Sequence, residues 1–280
     1  MKRLLDELIE QRTEGLFTYS VVVADNDGAR SAEPVVLEFA ARSSVHTTYC
    51  VEAHQNIALA RNKALANAQG DFIAFIDDDE YPVNTWLSSL FKTCNASGAD
   101  GVLGPVKPYF DQEPPNWATR GGFFERPTHE TGYRIGLSDA RTGNVLFRRE
   151  ILEGVAEAFR VEFGTGGEDV DFFRRMMDKG CAFVWCNEAT VYEVVPASRC
   201  SRSYLLRRAL LRGSNFPKHR THRIRNIGKS LIAVPAYGLA LPFFFVIGGH
   251  RFMKYLVKFC DHGGRLLAVL GINPIKGRNL

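Results

Sequence analysis

Apolar and polar residues fall along this chain in blocks whose period switches between that of a helix and that of a strand. Lys2 to Gln11 puts Leu4, Leu5, Leu8 and Ile9 on one helical face, the stripe an amphipathic helix buries. Tyr19 to Ala24 and His46 to Val51 predict strands, with a helical segment, Ala32 to Ala41, between them and Pro34 in its first turn. Gln55 to Ala68 predicts a helix presenting Ile57, Ala60, Ala64 and Ala68 inward. Phe72 to Ile76 has the length and apolar content of an interior parallel strand. A helix from Asn84 to Ser97 and a strand from Gly101 to Lys107 continue the alternation, which argues for an α/β fold with a mostly parallel doubly wound sheet.

From Pro108 to Ser138 regularity vanishes, and a long irregular segment inside a compact domain is often a functional lid. Asn144 to Phe147 resumes a strand, Glu168 to Lys179 predicts a helix, and Ala182 to Cys186 and Thr190 to Val195 close the sheet. The expected domains are 1–197, a basic amphipathic arm over 198–228, and a hydrophobic tail over 229–280. Leu231 to Gly249 is uncharged and approaches the length of a bilayer span, but Pro235, Pro242 and Gly248-Gly249 interrupt it. Arg225 and Lys229 precede it and Arg251, Lys254 and Lys258 follow, so the positive-inside rule disfavours a simple crossing. A re-entrant hairpin or an in-plane anchor fits at least as well as a span, and a buried helix pair is the remaining alternative.

The 280 residues suffice for one α/β domain and an appendage. Six cysteines without a C-x-x-C pair suit reduced thiols better than a disulfide framework or a zinc site. Met1 to Arg12 is charged and amphipathic rather than a secretory signal, which predicts a cytoplasmic catalytic domain. The net charge is only +4, yet Arg199, Arg202, Arg207, Arg208, Arg212, Lys218, Arg220, Arg223 and Arg225 crowd one region. With no nucleic-acid-binding motif around them, an anionic membrane surface or a diphosphate ligand explains the cluster more economically.

Two acidic clusters carry the candidate chemistry. Asp77, Asp78 and Asp79 end the Phe72 to Ile76 strand, where open α/β sheets bind ligands. Three adjacent carboxylates repel, so a fold that encloses them needs a cation or sugar hydroxyls in compensation; an acidic turn capping the next helix is the alternative. Gly164-Thr165-Gly166-Gly167 leads into Glu168 and Asp169 at the predicted start of a helix, where carboxylates are favoured. That cluster reads either as an ordinary acidic helix start or as a general base facing a metal-bound leaving group.

Four ordered pieces then resemble the family 2 glycosyltransferases of the GT-A fold, especially bacterial enzymes that build surface polysaccharides. They are Val21 to Asn26, Ala60-Arg61-Asn62-Lys63-Ala64-Leu65, Ile76-Asp77-Asp78-Asp79-Glu80-Tyr81-Pro82, and Gly167-Glu168-Asp169-Val170-Asp171. The resemblance covers about Lys2 to Phe216 and implies transfer of one sugar from a nucleoside-diphosphate sugar, a UDP-hexose, to a hydroxyl of a lipid-linked or polysaccharide acceptor. It implies Asp79 as ligand of Mg²⁺ or Mn²⁺, Asp77 at the ribose, and Asp78 in either role or in the turn. Asp25 matches the uracil- or ribose-binding aspartate, and Arg61 the arginine near the nucleotide. Asp169 is the expected base of an inverting displacement, with Glu168 toward the acceptor. Arg202, Arg207 and Arg208 either clamp the diphosphate or face the membrane, and Tyr192 stands where many relatives carry a metal-ligating histidine. The Gln-x-x-Arg-Trp signature of processive synthases is not found, which favours one sugar per encounter. An inactive membrane-associated nucleotide-sugar-binding relative and a metal-dependent nucleotidyltransferase are the alternatives. The family's first strand would precede Lys2, so the natural start is expected upstream of Met1; a truncated inactive protein is the other reading. The enzyme is expected on the cytoplasmic face of the cell (inner) membrane.

Overall fold

The computed structural model describes residues 1–164, 166–214 and 223–272; Thr165, Lys218 and Arg220 lie outside the described residues. The chain divides into two compact units, Met1–Lys107 with Arg126–Glu193, and Pro108–Glu125 with Val194–Leu280.

The first unit opens with α1 (Lys2–Ile9), β1 (Ser20–Asp25), α2 (Glu33–Arg42), β2 (His46–Val51), α3 (Ile57–Asn67) and β3 (Phe72–Ile76). It continues through β4 (Glu80–Pro82), α4 (Trp86–Ser97), β5 (Gly101–Leu103) and β6 (Val106–Tyr109), a strand that reaches the boundary of the unit. Pro105 splits the single strand expected over 101–107 into β5 and β6, which lie in different sheets. After α5 (Asn116–Gly121) in the other unit come β7 (Asn144–Arg148), α6 (Glu168–Asp178), β8 (Phe183–Trp185) and β9 (Val191–Val194). The α/β class is as expected, but the strand directions are more mixed than the alternation implies. β1 and β2 are parallel, and the order β3-β7-β5-β8 contains two antiparallel pairs and one parallel pair. The direction changes because β7 returns between β3 and β5. Among the described strands, β1 pairs only with β2 and β3 only with β7.

Strand alternation assigns the core to two faces. Leu146 joins one cluster with Val102, Trp86, Leu90 and the α1 leucines, whereas Val145 and Phe147 join the other with Leu103, Phe172, Phe173 and Met176. Successive side chains point to opposite sides of a strand, so α1 and α4 cover one face and α3 and α6 the other. Along α3 Ala58 is fully buried and Ala60 is buried as expected, whereas Ile57 is half-buried. Phe147, Phe159, Phe172, Phe173 and Phe183 form a continuous ring cluster with centroids 5.0–5.5 Å apart. Fully burying such a side chain is worth roughly 1.5–3 kcal/mol, so α6 is anchored by its apolar stripe. At the centre, the fully buried Asn144 accepts from Trp86 Nε1 (2.8 Å) and donates to the carbonyls of Ala189 (2.7 Å) and Pro105 (3.1 Å).

The second unit holds α5, α7 (Arg202–Ser214), α8 (Arg223–Ile247) and α9 (Gly249–Val269). α8 continues through Pro235 and Pro242 and is long and apolar enough to cross a membrane by length and composition. α9 packs against α7 on one side and α8 on another. The α7 contact is close because Gly213 and Gly264 carry no Cβ: one added at Gly213 would lie 2.3 Å from the Asp261 carbonyl oxygen.

Candidate active site

Helix α3 organises the site. Asn56 caps it, its side-chain oxygen accepting from the Ala58 (2.9 Å) and Leu59 (3.2 Å) amides, while its Nδ2 donates to the Val161 carbonyl at 3.0 Å. The Asn56 amide itself donates to Asn26 Oδ1 (3.0 Å), tying the end of β1 to the start of α3. Asn62 makes a reciprocal pair with the Phe159 backbone, at 2.7 and 3.0 Å. The cap and second turn of α3 thus grip the loop that leads into α6 at two points. The same helix supplies Arg61, whose guanidinium donates to Glu168 Oε1 through one terminal nitrogen and to Asp77 Oδ1 (3.3 Å) through the other. Arg61 therefore bridges the two acidic clusters that stand apart in sequence.

The bridge is unequal. The Arg61 and Glu168 side chains are 11% and 4% exposed, whereas that of Asp77 is 47% exposed. Surrounding protein pushes the Asp77 pKa up, and the charges of Asp79 and Asp78 add to this, against Arg61. Behind it, Glu80 is 3% exposed, and burial, with the neighbouring Asp77, raises its pKa well above the ordinary glutamate value. Glu80 Oε2 accepts from the Asp77 amide (3.3 Å), so it shapes the acidic turn from beneath. Gly143 makes room for this: a Cβ there would meet Glu80 Oε1 at 2.9 Å and Asp77 Oδ2 at 3.1 Å. Glu80 also sits opposite Glu193 in the β4–β9 ladder, and Arg126 pairs with Glu193 and approaches Glu80 at 4.0 Å. Like charges directly opposite in a ladder repel, and the shared arginine offsets that.

Asp169 lies in the first turn of α6, half-buried, its Oδ1 accepting from the Val170 amide at 2.8 Å. Asp171, fully buried, accepts from Arg174 (2.6 Å) and Arg175 (2.8 Å) and fixes the same turn. Arg141 feels the charges of Asp169, Asp139 and Glu80, while burial and Arg126 lower its pKa. Asp25 is buried at the end of β1, with Oδ1 accepting from the Asp27 amide and Oδ2 from the Ala32 amide and the Tyr49 hydroxyl. Asp78 is exposed, and its carbonyl accepts from the Met1 ammonium. Tyr192 stacks on Tyr81 with centroids 5.4 Å apart. Arg202 belongs to the second unit, where its guanidinium lies over the Trp117 ring at 5.6 Å.

The structure thus brings Arg61, Asp77 and Glu168 into direct contact, with Asp78, Asp79 and Asp169 on the same two turns. Sequence reasoning missed Glu80, Arg126, Arg141 and Asn144. Only Glu80, adjoining the aspartates, carried a local signal.

A strand-end acidic turn is thus joined through an arginine to a second acidic helix start, on a mixed sheet covered on both faces. The family model for glycosyl transferase family 2 matches residues 1–155, and the chain belongs to that family; it is a glycosyltransferase. The succinoglycan biosynthesis protein ExoM of Rhizobium meliloti (strain 1021) is 33% identical over 91% of this chain and 84% of its own length. The chondroitin synthase of Pasteurella multocida (strain Pm70) is 25% identical over 69% of this chain, which spans only 23% of that protein. In fold, the chain is similar to S. aureus TarS 1–349 in crystal structures with UDP and with UDP-GlcNAc. Both have a TM-score of 0.53 and 15% identity, covering 96% of this chain and 87% of that one.

Proposed function

We propose that the protein moves one sugar from a uridine-diphosphate sugar, a UDP-hexose, to a hydroxyl of a lipid-linked or polysaccharide acceptor, inverting the anomeric centre. The observation that carries this reading is the Arg61 bridge, which couples the donor-side turn at Asp77 to the α6 turn bearing Asp169. Asp169 takes the proton of the acceptor hydroxyl as its oxygen attacks the anomeric carbon and the bond to the diphosphate breaks on the opposite side. Acid–base assistance of this kind contributes about 10²–10⁴-fold. Asp77 and Asp25 bind the ribose or base, and Glu168 fixes Arg61 beside the acceptor.

A divalent cation fits the residues present. Burial raises the Asp77 pKa, the charges of Asp79 and Asp78 add to it, and a cation at this turn would favour the ionised carboxylates. Among the described residues no group of three or more His, Cys, Asp or Glu side chains could hold a metal ion. Mg²⁺, however, is commonly held by one or two carboxylates together with substrate phosphates. Held by Asp79, Mg²⁺ or Mn²⁺ would neutralise charge developing on the departing diphosphate.

The matched family supports sugar transfer, the name of the ExoM relative supports polysaccharide synthesis, and the UDP complexes of TarS support a uridine donor. The apolar helix α8 supports work at a membrane, and the cytoplasmic face is part of the proposal. A panel of UDP-sugars with lipid-linked acceptor, read by UDP release and product mass, tests the proposal. Asp169→Asn is expected to abolish transfer while UDP affinity stays within a few-fold. Near-normal turnover in that variant would place the base elsewhere.

A further inference from the structure

Helix α8 carries a long uncharged run that the protein itself leaves uncovered: only 6% of its most apolar stretch is buried. Leu231, Ile232, Leu239, Phe243 and Val246 are all at least 60% exposed. Ile232, Leu239, Phe243 and Val246, spaced by seven, four and three, share one face with Leu231 at its edge, an apolar stripe about 24 Å long from 231 to 246 at 1.5 Å per residue. The other face is occupied. Tyr237 packs against Tyr255 and His262, Phe244 stacks on Tyr255 with centroids 3.8 Å apart, and Ser230 bonds His262 at 2.9 Å. These partners all lie on α9, which returns antiparallel along α8 after the single residue Gly248.

The return helix decides how the stripe can meet a membrane. α9 carries Arg251, Lys254 and Lys258, all exposed and three and four residues apart on one row. Farther along, its buried Asp261 accepts from Arg265 and from Arg212 of α7, each pairing at 2.8–2.9 Å. A helix with this charge along its length cannot accompany α8 through hydrocarbon, where ionised side chains are strongly disfavoured. α8 crossing alone would have to give up its contacts with α9. Lying in the plane of the interface satisfies both helices, with an apolar face in the acyl boundary and cations at the headgroups.

We propose that α8 docks in the plane of an anionic bilayer leaflet and does not cross it. Charge identifies the partner. Arg225 and Lys229 are exposed at the N-terminal end of the face that bears Ile232 and Ala236, and Arg251 follows just beyond its C-terminal end. The stripe is thus apolar along its length and cationic at both ends, the complement of acyl chains beneath phosphate headgroups. Each cation held near such a leaflet strengthens binding about fivefold. The argument rests on the helical unit alone, so it stands or falls separately from the sugar-transfer reading.

The full chain, purified in detergent and exchanged onto vesicles, tests it by flotation. It is expected to float with phosphatidylcholine–phosphatidylglycerol vesicles, and far less with phosphatidylcholine alone. Lys254→Glu with Lys258→Glu should weaken anionic binding by more than about tenfold. Leu239→Asp with Phe243→Asp should lose binding to both vesicles, and unchanged helix content by circular dichroism would show the fold intact. A protease site inserted between Gly248 and Gly249 should be cut in membrane vesicles only from the face that exposes the N-terminal unit. Cutting from the opposite face would overturn the in-plane arrangement. Absence of flotation, with Leu239→Asp converting a dimer to a monomer, would show that a second copy covers the stripe and overturn the lipid assignment.

Discussion

Arg61→Met is the sharpest probe of the site, because it removes one cation from two carboxylates with different surroundings. The Glu168 carboxylate is 4% exposed, and stripping the partner from a buried ion pair costs about 3–5 kcal/mol. The Asp77 arm is longer, 3.3 Å, and its carboxylate is 47% exposed, so solvent screening leaves it about 0–1 kcal/mol. The variant is expected to lose about 3–5 kcal/mol in urea denaturation, nearly all of it traceable to Glu168. Adding Glu168→Gln should return a large part of that loss, because the stranded charge is gone, whereas adding Asp77→Asn should return little. The assay is a double-mutant cycle on each arm, with UDP affinity and turnover measured alongside. Additive effects for Arg61 and Glu168, or a loss below about 1 kcal/mol, would refute the bridge as an organising contact.

Three further outcomes are expected. In calorimetry, UDP should bind the native chain more tightly with Mn²⁺ than with chelator, and Asp79→Ala should erase that difference; an undiminished metal effect would remove Asp79 as ligand. Burial raises the Glu80 pKa in the folded state, so between the unfolded value near 4.5 and the raised one the folded protein binds more protons, and stability falls as pH rises. Glu80→Gln should therefore gain on the native chain as pH increases from 5 to 8, measured by urea midpoints; a gap independent of pH would contradict this. Gly213→Val must push α7 from α9, since its Cβ would sit 2.3 Å from the Asp261 carbonyl oxygen. It should cost about 1–3 kcal/mol, seen as faster amide exchange in α9 with UDP affinity unchanged.

What the sequence discloses depends on how local the cause is. β3 spans Phe72–Ile76, the residues its unbroken apolar run predicts, although only Ile73 in it is buried and Ala74 is exposed. That β3 runs antiparallel to β7 left no local trace, since the partner begins at Asn144. The Ala60-Arg61-Asn62 piece pointed to the site, yet its work is done across long sequence distances, Arg61 on Glu168 and Asn62 on Phe159. Glu80 reads as one more solvated acid after three aspartates, although β4 draws it inward opposite Glu193. Arg126 and Arg141 sit in the stretch with least pattern, and only the closed fold brings them near Glu80 and Asp169. The prolines in α8 suggested interruption, but the helix continues, which turned a segmented apolar run into a single stripe.

The position of β7 between β3 and β5 also governs how the protein must be made. β3 and β5 leave the ribosome early and do not pair with each other; each waits for β7, and β5 waits further for β8 at Phe183–Trp185. At 5–20 residues per second, the 68 residues from Ile76 to Asn144 take roughly 3–14 s to synthesise. Throughout that interval Ile73, and from their own synthesis onward Val102 and Leu103, all buried in the finished protein, have no sheet to enter. Until β7 arrives the nascent chain exposes strand edges and apolar side chains that the finished sheet covers. Truncations ending before β8 should yield insoluble protein however favourable their helices. Two fragments divided within 108–125 should recover a fold only when both are present together, because the inserted strand belongs to the second and its neighbours to the first.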